Sequence, residues 1–426
     1  MGKVTSLQPI LRFSGFNGDW SKKWLGSVCS IGDVDHWMPQ TVSEGIPYLM
    51  TGDFVGINEL DFANAKLISE TDYGRLSRKI KPEYGDILFA RYASVGAVRY
   101  VNTHHKFQIS YSCAILKKPS NYDSQFLFYN IQSPEFQKKV ELEINTGSQR
   151  NIGIDSLKKI EVFFPNNTVE QTQIGDFFQS LDQQIKLHQE KHNKLQQLKQ
   201  AMLGKMFPKF GAKVPQVRFD GFNSDWEIKE FQSVFVNIRN NSLSRAELND
   251  NTGIGMNVHY GDVLVKFGEI LDFTLEKVPF ITNGGAVEKM MPNRLQDGDV
   301  VIADAAEDIT VGKCCEVNNL GDQLLFAGLH TIAVRPKKAF APKYLGYFLN
   351  SNLYHDQLLT LIQGTKVSSI SKSSIAETLI YYPKDTEEQA KIGEYFHKFD
   401  RLISFQQQRI NKLKNIKQAC LRKMFV

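Results

Sequence analysis

Nowhere does this sequence carry an uncharged apolar run of about 18 residues, the length a membrane-spanning helix needs. Its opening, MGKVTSLQPILRF, also lacks the apolar centre of a signal peptide, so the cytoplasm is the expected location and no membrane is expected among its partners. Cysteine is scarce. Cys29, Cys113, Cys314, Cys315 and Cys420 form no C-x-x-C pair and leave one over, which excludes a disulfide framework and a zinc module and leaves buried small hydrophobes in a reducing compartment. The formal net charge is only +5, so the chain is not uniformly basic, and any nucleic-acid surface has to come from local clustering. No G-x-x-x-x-G-K-S/T segment is present, which removes a P-loop nucleotide site. The one histidine doublet, His104-His105, has no catalytic or metal partner at recognisable spacing and reads as a loop or strand feature.

What the chain has is repetition. RFSGFNGDW, from Arg12, returns as RFDGFNSDW, from Arg218. A longer stretch, Ser156 to Phe207, aligns without a gap to Ser374 to Phe425: Pro165 meets Pro383, Gln171 meets Gln389, Asp182 meets Asp400, and Lys205-Met206-Phe207 meets Lys423-Met424-Phe425. Solenoid repeats recur every 20 to 50 residues or so, whereas this period exceeds 200, so a whole domain is duplicated. With 426 residues, 42% hydrophobic and 23% charged, the chain is long and apolar enough for more than one core.

Each repeated tail reads as a long helix. Thr168-Val-Glu-Gln171 and Thr386-Glu-Glu-Gln389 fit the capping-box pattern after a proline, so helices are expected to start near 169 and 387. Apolar residues then step by four and three. The first seam is Ile174, Phe178, Leu181, Ile185, Leu195 and Met202, ending at Met206; the second is Ile392, Phe396, Phe399, Ile403, Ile410 and Leu413, reaching Cys420 and Met424. Leu198 and Ile416 are expected to widen the seam where Lys199 and Lys417 fall. The polar seam members His188, His192 and Gln406 are either ligands or switches, or else positions that fix register. A helix of about 38 residues spans roughly 57 Å. Since the linker PKFGAKVP leads at once into the second globular part, two seams that bury each other must run antiparallel, with a circular pseudo-two-fold relation between the halves.

The parts between the repeated segments correspond only loosely. YGDILFARYASVGAV, from Tyr84, resembles DGDVVIADAAEDITVGK, from Asp297, as a Gly-Asp turn, an apolar strand and a loop. Matching strands, two short amphipathic helices and the loops TGSQRNIG and QGTKVSSIS follow, so each part is read as mixed α and β with a shared frame and divergent loops. Lys191 to Lys213 and Arg401 to Val426 contain no Asp or Glu, which marks either a surface for phosphate or an acidic partner, or a solvated helix face.

The doubled RFxGFxxDW opening, the Gly-Asp strand, the FFP and YYP exits, the EQxxIGxFFxxLD helix start and the LKxxKxxxLxKMF finish resemble the specificity subunit of type I restriction-modification enzymes. The resemblance runs over essentially the whole chain. It implies an α+β protein with two target-recognition domains, 1–165 and 209–383, and two long antiparallel coiled-coil helices, 166–208 and 384–426. It further implies that each domain binds one half of a split double-stranded DNA target and that the helices set the gap and dock two methyltransferase subunits, with restriction subunits added for cleavage. No Asn-Pro-Pro-aromatic segment is present, so catalysis is expected on those partners, which would carry the methyl donor and ATP; this chain is expected to be non-catalytic and to bind no cofactor or metal. Candidate DNA-contacting residues are Arg91, Tyr92, Gln149, Arg150 and Asn151 in the first domain, and Lys266, Asp304, Lys366, Ser368 and Ser369 in the second. Asp304 stands where Arg91 stands, and either accepts from a cytosine amino group or caps a turn. The alternative is a coiled-coil scaffold that binds other proteins through two divergent heads.

Overall fold

A proline after a short strand cannot continue into helix, and at Pro165 and Pro383 the chain turns into its two longest elements, Thr168–Met206 and Thr386–Lys423. The caps are not the threonines expected from the capping-box pattern. Asn167 and Asp385, one residue earlier, accept the Val169 and Glu387 N–H groups on their Oδ1 atoms, both at 2.8 Å. Gln171 and Gln389, expected to complete the box, serve another purpose. Their Nε2 groups donate to the carbonyls of Pro165 and Pro383, and their Oε1 atoms accept the Asp123 and Ala341 N–H groups from the adjoining α/β part.

A computed structural model describes residues 7–147, 149–364 and 367–426. The chain forms two units: Met1–Lys191 with Gln406–Val426, and His192–Phe405. The division falls inside both long helices, so each unit owns the start of one helix and the end of the other.

In the first unit a four-stranded antiparallel sheet runs in the order Ile31–Gly32, Cys113–Leu116, Ile87–Ala90, Val98–Tyr100. The strand Ile87–Ala90 is buried throughout, which explains its unbroken apolar run. The Gly-Asp turn before it needs Gly85 at φ +92°, and Asp86 fastens it by accepting the Glu83 and Lys118 N–H groups. The second unit repeats the device with Gly298 at φ +85°, Asp299 accepting the Gln296 N–H, and the strand Val300–Ala303 inside a five-stranded sheet. Beside each sheet lies a helix pair, Ser124–Ile131 with Pro134–Leu142 and Tyr344–Leu349 with Asn352–Leu359. The first helix of each pair is not amphipathic, as the sequence suggests, but almost wholly buried between sheet and long helix, consistent with its aromatic content. All five cysteines are buried and free.

The repeated opening and the repeated finish meet. Trp20 packs edge-on against Phe425, which stacks on Phe178 at 5.6 Å; Trp226 packs edge-on against Phe207, which stacks on Phe396 at 6.0 Å. In each unit, therefore, the end of one long helix is seated in the core beside the start of the other, and the two segments run antiparallel. The opening arginines hold the helix starts. Arg12 makes two bonds to Glu170, 2.7 and 2.8 Å, and Arg218 makes two to Glu388, 2.7 and 2.8 Å, both carboxylates being buried in the first helical turn.

Ile174, Phe178, Leu181, Ile185, Ile392, Phe396, Phe399 and Ile410 are buried, and Leu195, Met202, Ile403 and Leu413 are half-buried. Leu198 and Ile416, expected in the seam, are instead 46% and 37% exposed, while Lys199 and Lys417 are 6% and 7% exposed. The lysines win the inner positions because carboxylates wait for them: Lys417 Nζ lies 2.6 and 2.9 Å from Asp182, and Lys199 Nζ 2.5 Å from Asp400. Of the polar seam members, His188 Nδ1 bonds Gln406 Oε1 at 2.6 Å, which fits the register-fixing alternative, and His192 contacts Asn193 at 3.4 Å. No helix among the described residues is long and apolar enough to cross a membrane.

Candidate nucleic-acid interface

In both units the strand after the Gly-Asp turn ends beside a loop that folds back on itself. In the first unit that loop closes between Asn145 and Asn151, whose backbones exchange hydrogen bonds at 2.8 and 3.4 Å, and Asn151 bridges to Tyr92. In the second it closes between Gln363 and Ser369, at 2.9 and 2.8 Å, and Ser368–Ser369 pairs with Ala305–Ala306 directly after Asp304. Tyr92 and Asn151 are thus brought together in one unit, and Asp304 lies beside Ser368 and Ser369 in the other.

Their side chains differ in availability. Gln149 and Arg150 are exposed at the loop tip. The Arg150 guanidinium rests on exposed Glu141 at 2.7 and 2.8 Å, a surface pair worth little and readily exchanged for another anion. Tyr92 is half-buried, its ring edge-on to Tyr111 at 6.2 Å. Asn151 spends its amide within the loop, donating to the Gln149 carbonyl and accepting from Asn145.

Arg91 departs from its expected role. It is 6% exposed, ion-paired to Asp33, and donates through Nε to the Ile152 carbonyl at 3.0 Å. A guanidinium has five donors and no acceptor, so buried here it staples three loops instead of pointing at a base edge. Asp33 also takes Lys79, and its carboxyl stays below the usual range because these cations outweigh the burial that pushes it up.

Asp304, the counterpart of Arg91, has no guanidinium to meet. Its oxygen lies 3.4 Å from His330 Nδ1, and burial, the largest influence, raises its carboxyl above the ordinary value despite that histidine. Its backbone does the stapling, donating to the His330 carbonyl and accepting from Ile370 N–H. Ser368 is half-buried and Ser369 exposed. Lys266 is exposed, but its ammonium donates to the Lys277 carbonyl and lies over the Phe267 ring. The Tyr-Gly-Asp segment before it opens a short helix, Tyr260–Val265, whose Asp262 pairs with Arg245. Lys366 lies outside the described residues.

Sequence reasoning missed His36, Tyr111, Tyr260 and His330. The His36 and Tyr111 rings stack at 4.8 Å, and Tyr260 and His330 meet edge-on at 5.3 Å. His36, Tyr111 and His330 come from loops and turns and Tyr260 from the start of a short helix, each pair far apart in sequence, and no spacing rule links them. Among the described residues, no cluster of three or more His, Cys, Asp or Glu suits a metal ion.

Known proteins share this organisation. The model of the type I restriction modification DNA specificity domain matches twice, at residues 17–197 and 223–415. A protein of Methanocaldococcus jannaschii named for the specificity subunit of the type I restriction enzyme MjaX is 25% identical over 211 residues, 47% of this chain. The match spans 45% of that relative's length. The crystal structure of a type I restriction-modification system S subunit from M. genitalium superposes with a TM-score of 0.61 at 16% identity, covering 98% of this chain and 99% of that one. A chain from a structural study of complex assembly and conformational transition in the type I R-M system gives 0.52 at 18% identity, covering 94% and 96%. At such identities the likeness is one of fold, whereas the two matched regions take in most of the sequence, and on them the chain belongs to the type I restriction modification DNA specificity domain family.

Proposed function

We propose that this chain is the DNA-specificity subunit of a type I restriction-modification enzyme, in which each α/β part binds one half of a bipartite double-stranded DNA target. The observation that carries this reading is the pairing of one repeated frame with unlike side chains at the same edge: Tyr92, Gln149 and Arg150 in one unit, Asp304, His330 and Ser369 in the other. A frame kept twice with its edge rewritten suits two related targets of different sequence, and base edges in the major groove are distinguished by such donor and acceptor patterns.

In this reading the long helices set the gap between half-sites and dock two methyltransferase subunits. The exposed Leu198 and Ile416, with exposed Lys194 and Lys412 one turn before them at equivalent positions, supply apolar and basic contacts for that docking. Restriction subunits join the complex for cleavage, and methyl donor and ATP are bound by the partners, this chain taking no catalytic part.

The test is a domain exchange. Replacing residues 21–155 with another domain of the same frame, and methylome sequencing of cells carrying the chimera with its methyltransferase subunits, is expected to change one half-site and leave the other half and the gap intact. A change in both halves, or in neither, overturns the assignment. A chain that acts only as a scaffold would leave the methylome untouched.

A further inference from the structure

The turn between the strands Leu325–Ala327 and Thr331–Pro336 places His330 at φ +53°, a left-handed conformation that residues with a Cβ seldom adopt. The turn is held there on purpose: the Thr331 hydroxyl donates to the Gly328 carbonyl at 2.6 Å, Asn240 donates to the same carbonyl, and Gly328 N–H reaches the Val258 carbonyl. The ring that results is about half exposed. Asp304 lies 3.4 Å from its Nδ1, and Tyr260 supports it edge-on at 5.3 Å, with His259 beside Tyr260. The cluster sits at the strand end whose next two residues pair with the Ser368–Ser369 loop.

The first unit assembles similar chemistry from unrelated segments. His36 Nε2 lies 3.6 Å from Asp33, and its ring stacks on Tyr111. There, however, Asp33 is already held by Arg91 and Lys79, whereas among the described residues the ion pair of Asp304 is with His330.

Resting on the proposed DNA-specificity function, we propose that His330 reads a base in the half-site bound by the second unit, with Asp304 as its positioning residue. A carboxylate at Nδ1 favours the tautomer with the proton on that nitrogen, which makes Nε2 an acceptor on a ring about half exposed. Such an acceptor matches an exocyclic amino group in the major groove, N6 of adenine or N4 of cytosine, and is repelled by guanine O6 and thymine O4.

The experiment selects from duplexes randomised in both halves of the target, using the full chain assembled with its methyltransferase subunits. His330→Gly is the main variant because glycine adopts the left-handed turn without strain, so the fold is retained. It is expected to keep the first half-site and the gap and to lose roughly ten- to hundred-fold discrimination at one position of the second half-site. Asp304→Asn is expected to weaken the same position and no other, and His330→Asn, which also tolerates this backbone, to change the base preferred there. If wild type selects a split sequence and His330→Gly selects the same one with undiminished preference, the histidine assignment is wrong while the wider function stands. If wild type selects no split sequence, the wider function fails and this assignment with it.

Discussion

Lys417 Nζ lies 2.6 Å from Asp182 Oδ1, on two helix segments that belong to opposite ends of the sequence but to one unit. Tyr129 donates to the other Asp182 oxygen at 3.0 Å, and Lys199, Asp400 and Tyr347 repeat the arrangement. Buried charges of this kind are costly to leave alone: removing one partner of such a pair typically costs about 3 to 5 kcal/mol, while replacing both by apolar residues is near neutral.

Lys417→Met is therefore expected to lower the unfolding free energy of the first unit by about 3 to 5 kcal/mol, and Lys417→Met with Asp182→Leu to recover most of that loss. Urea denaturation of the two variants checks it. An additive double variant would mean that the pair does not act as a unit. The second copy is not equivalent, because Lys199 also takes Glu269 at 2.8 Å, and Asp400 is pushed up by burial and by Glu269 despite the lysine.

Much of this was legible in the sequence, and the pattern of what was not has physical causes. The repeats, the helix starts, the Gly-Asp turns and most of the seam follow from spacing and from turn chemistry. Spacing alone puts Lys199 and Lys417 in the seam, but hydropathy adds Leu198 and Ile416 beside them, and only the positions of Asp182 and Asp400 in three dimensions show that the lysines hold the inner places while the two apolar side chains stay exposed. In the sequence Arg91 reads as a DNA contact because an arginine after a strand looks free until Asp33 and the Ile152 carbonyl are seen around it. The loops TGSQRNIG and QGTKVSSIS are legible as equivalent segments of the two halves. His330 is not, since a single histidine in a turn gives no signal until its backbone conformation is known.

The contrast between Arg91 and Arg150 makes a second prediction. Arg91→Ala removes a buried guanidinium and three loop contacts, so it is expected to cost roughly 3 kcal/mol of stability. Arg150→Ala removes an exposed side chain. It is expected to leave the melting temperature unchanged within error and to relax discrimination in the first half-site by about 1 to 3 kcal/mol at one position. Calorimetry and duplex selection on both variants separate the two roles; interchanged results would assign them the other way round.

Phe425 carries a third. It contacts Trp20, Phe126 and Phe178, so the last turn of the second long helix is part of the first unit's core. Phe425→Ala is expected to destabilise that unit by about 3 to 5 kcal/mol, and Phe207→Ala to do the same in the other. Hydrogen exchange gives the readout: protection should fall at Trp20 and its neighbours for Phe425→Ala and at Trp226 and its neighbours for Phe207→Ala. Uniform loss across the chain would contradict the separate seating of the two helix ends.

Glu316 makes one contribution to the chain's response to pH. It is 1% exposed in the strand Cys314–Asn318 and accepts the Lys343 and Gly346 N–H groups at 2.6 and 2.8 Å. Burial dominates those bonds and raises its carboxyl from 4.5 to about 7. A raised carboxyl means that the folded chain holds a proton the unfolded chain has released, so stability falls as pH climbs from about 4.5 to about 7 and is level on either side. Across about pH 5 to pH 8 this group accounts for roughly 2 to 3 kcal/mol of that fall. In Glu316→Gln the slope over this window should flatten by that amount. The slope is the readout, not the absolute stability, because glutamine presents an amide N–H where Glu316 accepts one. An unchanged slope would mean that the two backbone donors keep Glu316 ionised in the folded chain and that the pH response arises elsewhere.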